Sequence, residues 1–117
     1  MDSRALQQRT RQFAIRVIDW LEKLHRSRPA EIITKQLIRC ATSVGANYRA
    51  ACKAKSHADF VAKIGTVEEE ADESIYWLEL LQELRYGEPS ELNALLDEAH
   101  QLTAIFTATG RTAKQQR

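Results

Sequence analysis

Chain breakers and crosslinks are scarce in this sequence of 117 residues, which has four glycines, two prolines and two cysteines. No β-branched alternating run is present, so a sheet has no support. Cys40 and Cys52 fall on one predicted helix, a spacing that reads as neither a disulfide nor a zinc scaffold. No apolar run approaches the roughly 18 residues a membrane helix needs, and the start lacks the apolar segment of a signal peptide. A cytoplasmic protein with no membrane partner is therefore expected. Ser43-Val44-Gly45 inside a helix does not make a glycine-rich phosphate loop. A di-metal bundle needs Glu-x-x-His motifs at matching depth. Glu22-x-x-His25 closes a predicted helix, whereas Asp97-x-x-His100 sits in the middle of another. Arg49 and His57 lie too far apart, on different predicted helices, for a compact arginine–histidine ribonuclease site. No catalytic residue, metal site or cofactor is expected.

One sign of charge is also scarce in each of two long segments. The formal net charge is +1, but residues 1–63 carry 13 Lys/Arg against 5 Asp/Glu, whereas residues 64–109 carry Arg85 alone against 11 acids. Lys and Arg return in residues 110–117. The neutral total is a cancellation between segments, so the pattern carries more information than the sum.

What is present is helical periodicity, which predicts an all-α protein. A first helix runs from about Thr10 to His25 on Phe13, Val17, Trp20/Leu21 and Leu24. Pro29 suits the first turn of a second helix, because its missing N–H would be unpaired there anyway. That helix follows Ile33, Leu37, Cys40, Val44, Tyr48 and Ala51, and both cysteines read as small buried hydrophobes. Ser56 with Asp59 resembles a capping box and opens a third helix on Ile64, Val67, Ala71, Ser74, Leu78 and Leu81. Tyr86-Gly87-Glu88-Pro89-Ser90 stops it, and Ser90 is expected to cap a fourth on Leu92, Leu95/Leu96, Ala99, Leu102 and Phe106. Short connections force antiparallel neighbours, which predicts an up-down-up-down four-helix bundle over 10–109. The alternative is a pair of long helical hairpins that assemble only between subunits. Residues 1–9 and the basic tail 110–117 are expected to be flexible.

Gly45 and Gly65 sit inside predicted helices, each at a cost of about 1 kcal/mol relative to alanine. Counted from the turn, they stand at the same height, so either the second and third helices approach closely there or both glycines are merely tolerated.

Two surfaces remain after the core is assigned. At about 100° per residue, Trp77, Leu80 and Leu84 form a second seam on helix three, with Tyr76 beside it. Helix one has a smaller surplus in Ile15 and Ile18. Contiguous apolar patches of this kind mark interfaces, and aromatic anchors are favoured in them, so a homo-oligomer is expected. The acids of helix three can answer the basic neighbours, with Arg39 level with Asp72. Arg9, Arg16 and Lys23 share one flank of helix one, and with Arg26, Arg4, Arg11 and Arg28 they form a candidate contact for RNA or DNA phosphates.

The runs Cys40-Ala41-Thr42-Ser43-Val44-Gly45-Ala46-Asn47-Tyr48-Arg49 and Asp59-Phe60-Val61-Ala62-Lys63, with Glu68-Glu69-Glu70 and Ser74-Ile75-Tyr76-Trp77-Leu78, resemble a known family. Over about residues 10–108 the chain is similar to the four-helix-bundle proteins encoded in intervening sequences of 23S ribosomal RNA genes. The resemblance implies an up-down bundle that assembles as a homopentamer, with no established activity for the family at large. A related group serves reverse transcriptases of diversity-generating retroelements as a basic pentameric accessory that binds enzyme and nucleic acid. By resemblance Ser43, Asn47, Asp59, Phe60, Glu70, Tyr76 and Trp77 are signature positions of structural character, and the interior glycines Gly45 and Gly65 are counted with them as structural positions. Asn47 is expected to bond across the contact of helices two and three, and Tyr76 with Trp77 to anchor the subunit interface. The expected function is a non-enzymatic self-assembling bundle, an adaptor or scaffold. The alternative is a nucleic-acid-binding or ribonucleoprotein accessory, with a metal-dependent or ribonuclease enzyme more distant.

Overall fold

The computed structural model describes residues 1–116. Four helices, α1 (Ser3–Glu22), α2 (Arg28–Ala51), α3 (His57–Glu83) and α4 (Pro89–Gln115), form an elongated bundle of 48 × 22 × 21 Å. Each helix packs on its chain neighbours and α1 closes on α4, while the backbones of the diagonal pairs α1/α3 and α2/α4 stay apart and meet only through core side chains. The chain thus runs up and down around a square within one molecule, rather than as hairpins that meet only between subunits. One end holds both termini and the α2–α3 turn. The other holds the α1–α2 link and the α3–α4 loop.

The core is the predicted set of stripes. Phe13, Val17, Leu37, Cys40, Val44, Ile64, Val67, Leu78, Leu81, Leu92, Leu95, Leu102 and Phe106 are each 2 % exposed or less. Tyr48 meets Phe106 across the core with ring centroids 5.3 Å apart, and burial pushes the Tyr48 phenol up to about 12. The buried polar side chains are bonded. Thr10 Oγ1 donates to the carbonyls of Leu6 and Gln7, at 3.1 and 2.9 Å. Ser74 Oγ lies 2.9 Å from the Glu70 carbonyl and 3.3 Å from Cys40 Sγ. Burial also raises the Cys40 thiol pKa. Cys52, by contrast, is exposed; it falls at the C-cap of α2, beyond the last core turn.

The helix ends show where sequence periodicity stops short. Asp2 caps α1, its carboxylate accepting from the Ala5 N–H at 2.8 Å. Residues expected as a flexible start thus lie in α1, where Leu6 and Thr10 are buried. Likewise α4 runs past Gly110 and buries Gly110 and Ala113, small residues that periodicity alone does not mark as core. Ser27 and Ser56 cap α2 and α3. Asp59 reaches back to the Lys55 N–H at 3.1 Å, not to the cap's own amide. Glu88, not Ser90, caps α4: its carboxylate takes the Ser90 and Glu91 N–H groups at 2.7 and 2.9 Å. Pro89 fills the position where an N–H has no helical partner.

The two interior glycines do not face each other. A Cβ at Gly45 would lie 3.2 Å from Thr10 Oγ1, so its close approach is to α1. A Cβ at Gly65 would meet nothing within 4 Å. A third glycine matters more. Gly87 has φ +75°, and a Cβ there would fall 2.5 Å from Trp20 Cζ2, while Trp20 Nε1 donates to the Glu88 carbonyl at 3.1 Å. The α3–α4 loop therefore lies flat on α1.

Gly65→Ala should raise stability by about 0.5–1 kcal/mol, since only the helix propensity changes; Gly45→Ala should gain less, and Gly87→Ala should lose about 1–3 kcal/mol through backbone strain and the Trp20 clash. Urea unfolding of the three variants checks the order. Hydrogen bonds from Lys63 to Asp59 and from the Glu91 and Ser90 amides to Glu88 hold both carboxyls below their ordinary pKa. The stability they add is complete above the unfolded carboxylate range and lost as pH falls through and below about 4. Asp59→Asn with Glu88→Gln should flatten that acid limb.

Candidate interaction surface

Two members of the basic flank of α1, Arg9 and Arg16, are engaged within the molecule. Arg9 makes a forked pair with Glu98 of α4, Nε to Oε2 at 2.8 Å and Nη2 to Oε1 at 2.7 Å, and also reaches Gln101. This pairing raises the guanidinium pKa further. Arg16 lies 3.4 Å from Glu91 about two turns away on the same seam. Lys23 and Arg26 are exposed and in no ion pair among the described residues. Arg39 pairs with Glu70 at 3.4 Å and with Glu73, not with Asp72. Asp72 points away because it lies on the far flank of α3, beside α4, lining a recess with His100 and Arg111.

The signature positions sort into local roles. Asn47 Nδ2 donates to the Ser43 carbonyl and hydroxyl at 2.9 and 2.7 Å, so its bonds stay inside α2 and do not cross to α3. Asp59 holds Lys63 at 2.5 Å one turn on. Phe60 packs half-buried on the core. Glu70 is part of the Arg39 cluster.

Trp77 and Leu80 lie half-buried against the core edge, while Tyr76 and Leu84 stay 57 and 43 % exposed. Trp77 Nε1 donates to Glu73 at 3.2 Å, and Tyr76 meets its ring edge-on at 5.0 Å and 81°. Ile32 on α2, 57 % exposed, escaped the sequence reading because its neighbour Ile33 carries the core stripe. The Arg39 bonds to Glu70 and Glu73 set the antiparallel register. Two turns from Arg39 toward the loop end, Ile32 stands level with Trp77 and Leu80, which widens the seam into a ridge across α2 and α3.

A groove runs between α1 and α2. At the loop end it is a recess of about 550 Å³ lined by Ile18, Leu21, Leu24 and Ile38 together with the charged Glu22, Arg26, Glu31 and Lys35; Ile15 on α1 is 42 % exposed. At the end holding the termini it widens to about 640 Å³ between Arg4, Arg11, Arg49 and Lys53, with no acid in its lining. Arg49 and Lys53 come to this recess from α2, so their convergence with α1 was not readable from one helix. The Thr10–Gly45 approach forms its floor.

Among the described residues no group of three or more His, Cys, Asp or Glu is placed to hold a metal ion, and no helix is long and apolar enough to cross a membrane.

A family model described as 23S rRNA-intervening sequence protein matches residues 3–108. Among solved structures, a protein of unknown function from the S23 ribosomal protein family of Bacteroides thetaiotaomicron VPI-5482 is similar at 28% identity and a TM-score of 0.85. The match covers 95% of this chain and 99% of that one. No curated protein matches the chain.

A double-mutant cycle on Arg9 and Glu98 should give a coupling of about 1 kcal/mol, because the pair is forked and largely covered. The longer, more exposed Arg16–Glu91 pair should give less than about 0.5 kcal/mol. Urea unfolding of single and double alanine variants measures both.

Proposed function

The chain belongs to the 23S rRNA-intervening sequence protein family, and from that membership we propose that it works as a non-enzymatic, self-assembling bundle, an adaptor or scaffold whose working form is a homo-oligomer. The observation that carries this reading is the ridge of Tyr76, Trp77, Leu80 and Leu84, extended by Ile32. A solitary bundle is expected to place polar residues there. Covering such side chains removes apolar surface from water at about 25 cal/mol per Å², and the Trp/Tyr pair has the rigidity favoured at anchors. Family resemblance makes five the copy number to test. The absence of a catalytic role is supported by the chemistry of the surface. His25, His57 and His100 are all exposed and lie on separate parts of the chain, and the buried thiol Cys40 is held in its neutral form.

A second reading, a nucleic-acid or ribonucleoprotein accessory, is favoured by one observation: the recess of Arg4, Arg11, Arg49 and Lys53. With Arg9 and Arg16 engaged by α4, that recess and the exposed Lys23, Arg26 and Arg28 are the members of the basic set open to phosphates.

Light scattering at micromolar concentration should report several copies per particle, and Trp77→Lys with Leu80→Lys should reduce this to one while far-UV circular dichroism keeps its helical signal. A wild-type monomer would reject self-assembly. Under the second reading, affinity for a short RNA or DNA should fall linearly with the logarithm of salt concentration, about 0.7–0.9 per phosphate neutralised.

A further inference from the structure

Resting on the reading that the recess of Arg4, Arg11, Arg49 and Lys53 meets phosphates, we propose that its ligand is a linear phosphate chain recognised by its charged links alone. Inorganic polyphosphate has that chemistry, and so does a nucleic-acid backbone whose bases are left unread. Three other recesses carry both signs of charge. The loop-end recess between α1 and α2 includes Glu22 and Glu31, the one between α3 and α4 includes Asp72 and Glu79, and the one beside Trp20 includes Asp19, Glu88 and Glu91. The recess at the end with the termini has four cations and no acid. None of the four enters an ion pair among the described residues. Its walls are α1 and α2, both from the basic part of the sequence.

The cations form two rails. Arg4 and Arg11 share one face of α1, and Arg49 and Lys53 share one face of α2. The approach of Gly45 to Thr10 sets the register between the rails. Counted from it at about 1.5 Å per residue, Arg49, Arg4 and Lys53 stand roughly 6, 9 and 12 Å toward the termini, and Arg11 about 1.5 Å the other way. Positive charge from both walls therefore lines a row about 14 Å long. Between the rails the floor is Thr10, Ala14, Gly45 and Ala46, small residues that let a narrow chain settle between the helices. Three of the four cations are arginines, whose planar fork matches phosphate oxygens. What the recess lacks is equally selective. No aromatic ring lines it, so a base finds no platform to stack on. No large apolar side chain lines it either, so an apolar ligand body has nothing to pack against. A chain with a charge at every link and no apolar part uses all that the recess offers.

Titration calorimetry on the full chain tests this. Affinity should climb from orthophosphate through pyrophosphate and tripolyphosphate to long-chain polyphosphate, and ATP should bind no tighter than tripolyphosphate. Short oligoadenylate and oligouridylate should displace long-chain polyphosphate equally well. Arg4→Gln/Arg49→Gln should weaken polyphosphate and RNA together by about tenfold or more. Lys23→Gln/Arg26→Gln removes the same charge elsewhere and should change both by less than about twofold. Ala46→Phe keeps every charge and fills the floor; it too should weaken both ligands, with far-UV circular dichroism unchanged. Equal losses in the two glutamine variants would mean attraction to overall charge and would overturn the site. Polyglutamate binding as tightly as polyphosphate of equal charge would overturn the phosphate assignment. Tight RNA binding without any binding of tripolyphosphate or polyphosphate would show that more than the links is read, and would overturn the proposal while the nucleic-acid reading stands. If neither RNA nor polyphosphate binds, both fall. If Arg4→Gln/Arg49→Gln splits an oligomer into single copies and leaves polyphosphate binding unchanged, the recess is covered by a neighbouring copy and the proposal is wrong.

Discussion

A helix in a four-helix square has room for one buried stripe, and α3 carries two. Its first stripe, Ile64 to Leu81, faces the centre and is closed to water. Its second is turned by more than a quarter of the helix and cannot reach the core without exposing the first. Trp77 and Leu80 take what cover the edge of the bundle offers, and Tyr76 and Leu84 remain outside. This geometric surplus, more than any single contact, governs what the molecule can do. It leaves an apolar ridge whose position is set by the register of α2 against α3, and that register is held by the Ser56 cap and the Arg39 cluster.

The charge segregation is resolved by topology. Because the fourth helix returns beside the first, the acids of α4 meet the basic flank of α1, with Glu98 taking Arg9 and Glu91 taking Arg16. Among the described residues the acids of α3 form ion pairs with α2 at Arg39 alone. Arg4, Arg11, Arg49 and Lys53 remain together at the end of the α1–α2 groove that holds the termini, where the lining has no acid. Helix α1 thus has three kinds of attachment: a close approach to α2 at Thr10 and Gly45, ion pairs to α4, and the Trp20 contact to the loop.

Much of this was legible along the chain. Stripes such as Leu37, Val44 and Leu102 repeat at helical spacing, and a burial stripe is a local property of sequence. The Ser56 start was legible too, because a cap acts within one turn. What was not legible depended on partners far away in sequence. Arg9 looked like a free cation until α4 came beside it. Gly45 seemed to face Gly65, because counting from a turn gives height but not azimuth; the helix presents it to α1 instead. Arg49 and Lys53 join Arg4 and Arg11 only across two helices. Ile32 was hidden by the core residue next to it. Asn47 carries a polar side chain near a helix contact, yet its amide is satisfied one turn back by Ser43. The helix end at Gln115 was missed because the residue it buries beyond Gly110, Ala113, is small, and the start at Ser3 because Leu6 is the one large apolar residue it buries ahead of Thr10.

The two tryptophans of the sequence occupy the two places where these constraints act. Trp20 is 5 % exposed and bonded to the loop that shuts the bundle, whereas Trp77 is half-buried on the ridge, its indole N–H held by Glu73. The indole rings sense the polarity around them separately: one is dark to anything but the opening of α1 from the loop, the other answers to whatever covers α3. Tertiary closure and surface coverage are therefore written into two distinct chromophores, and the molecule carries its own optical readout of each.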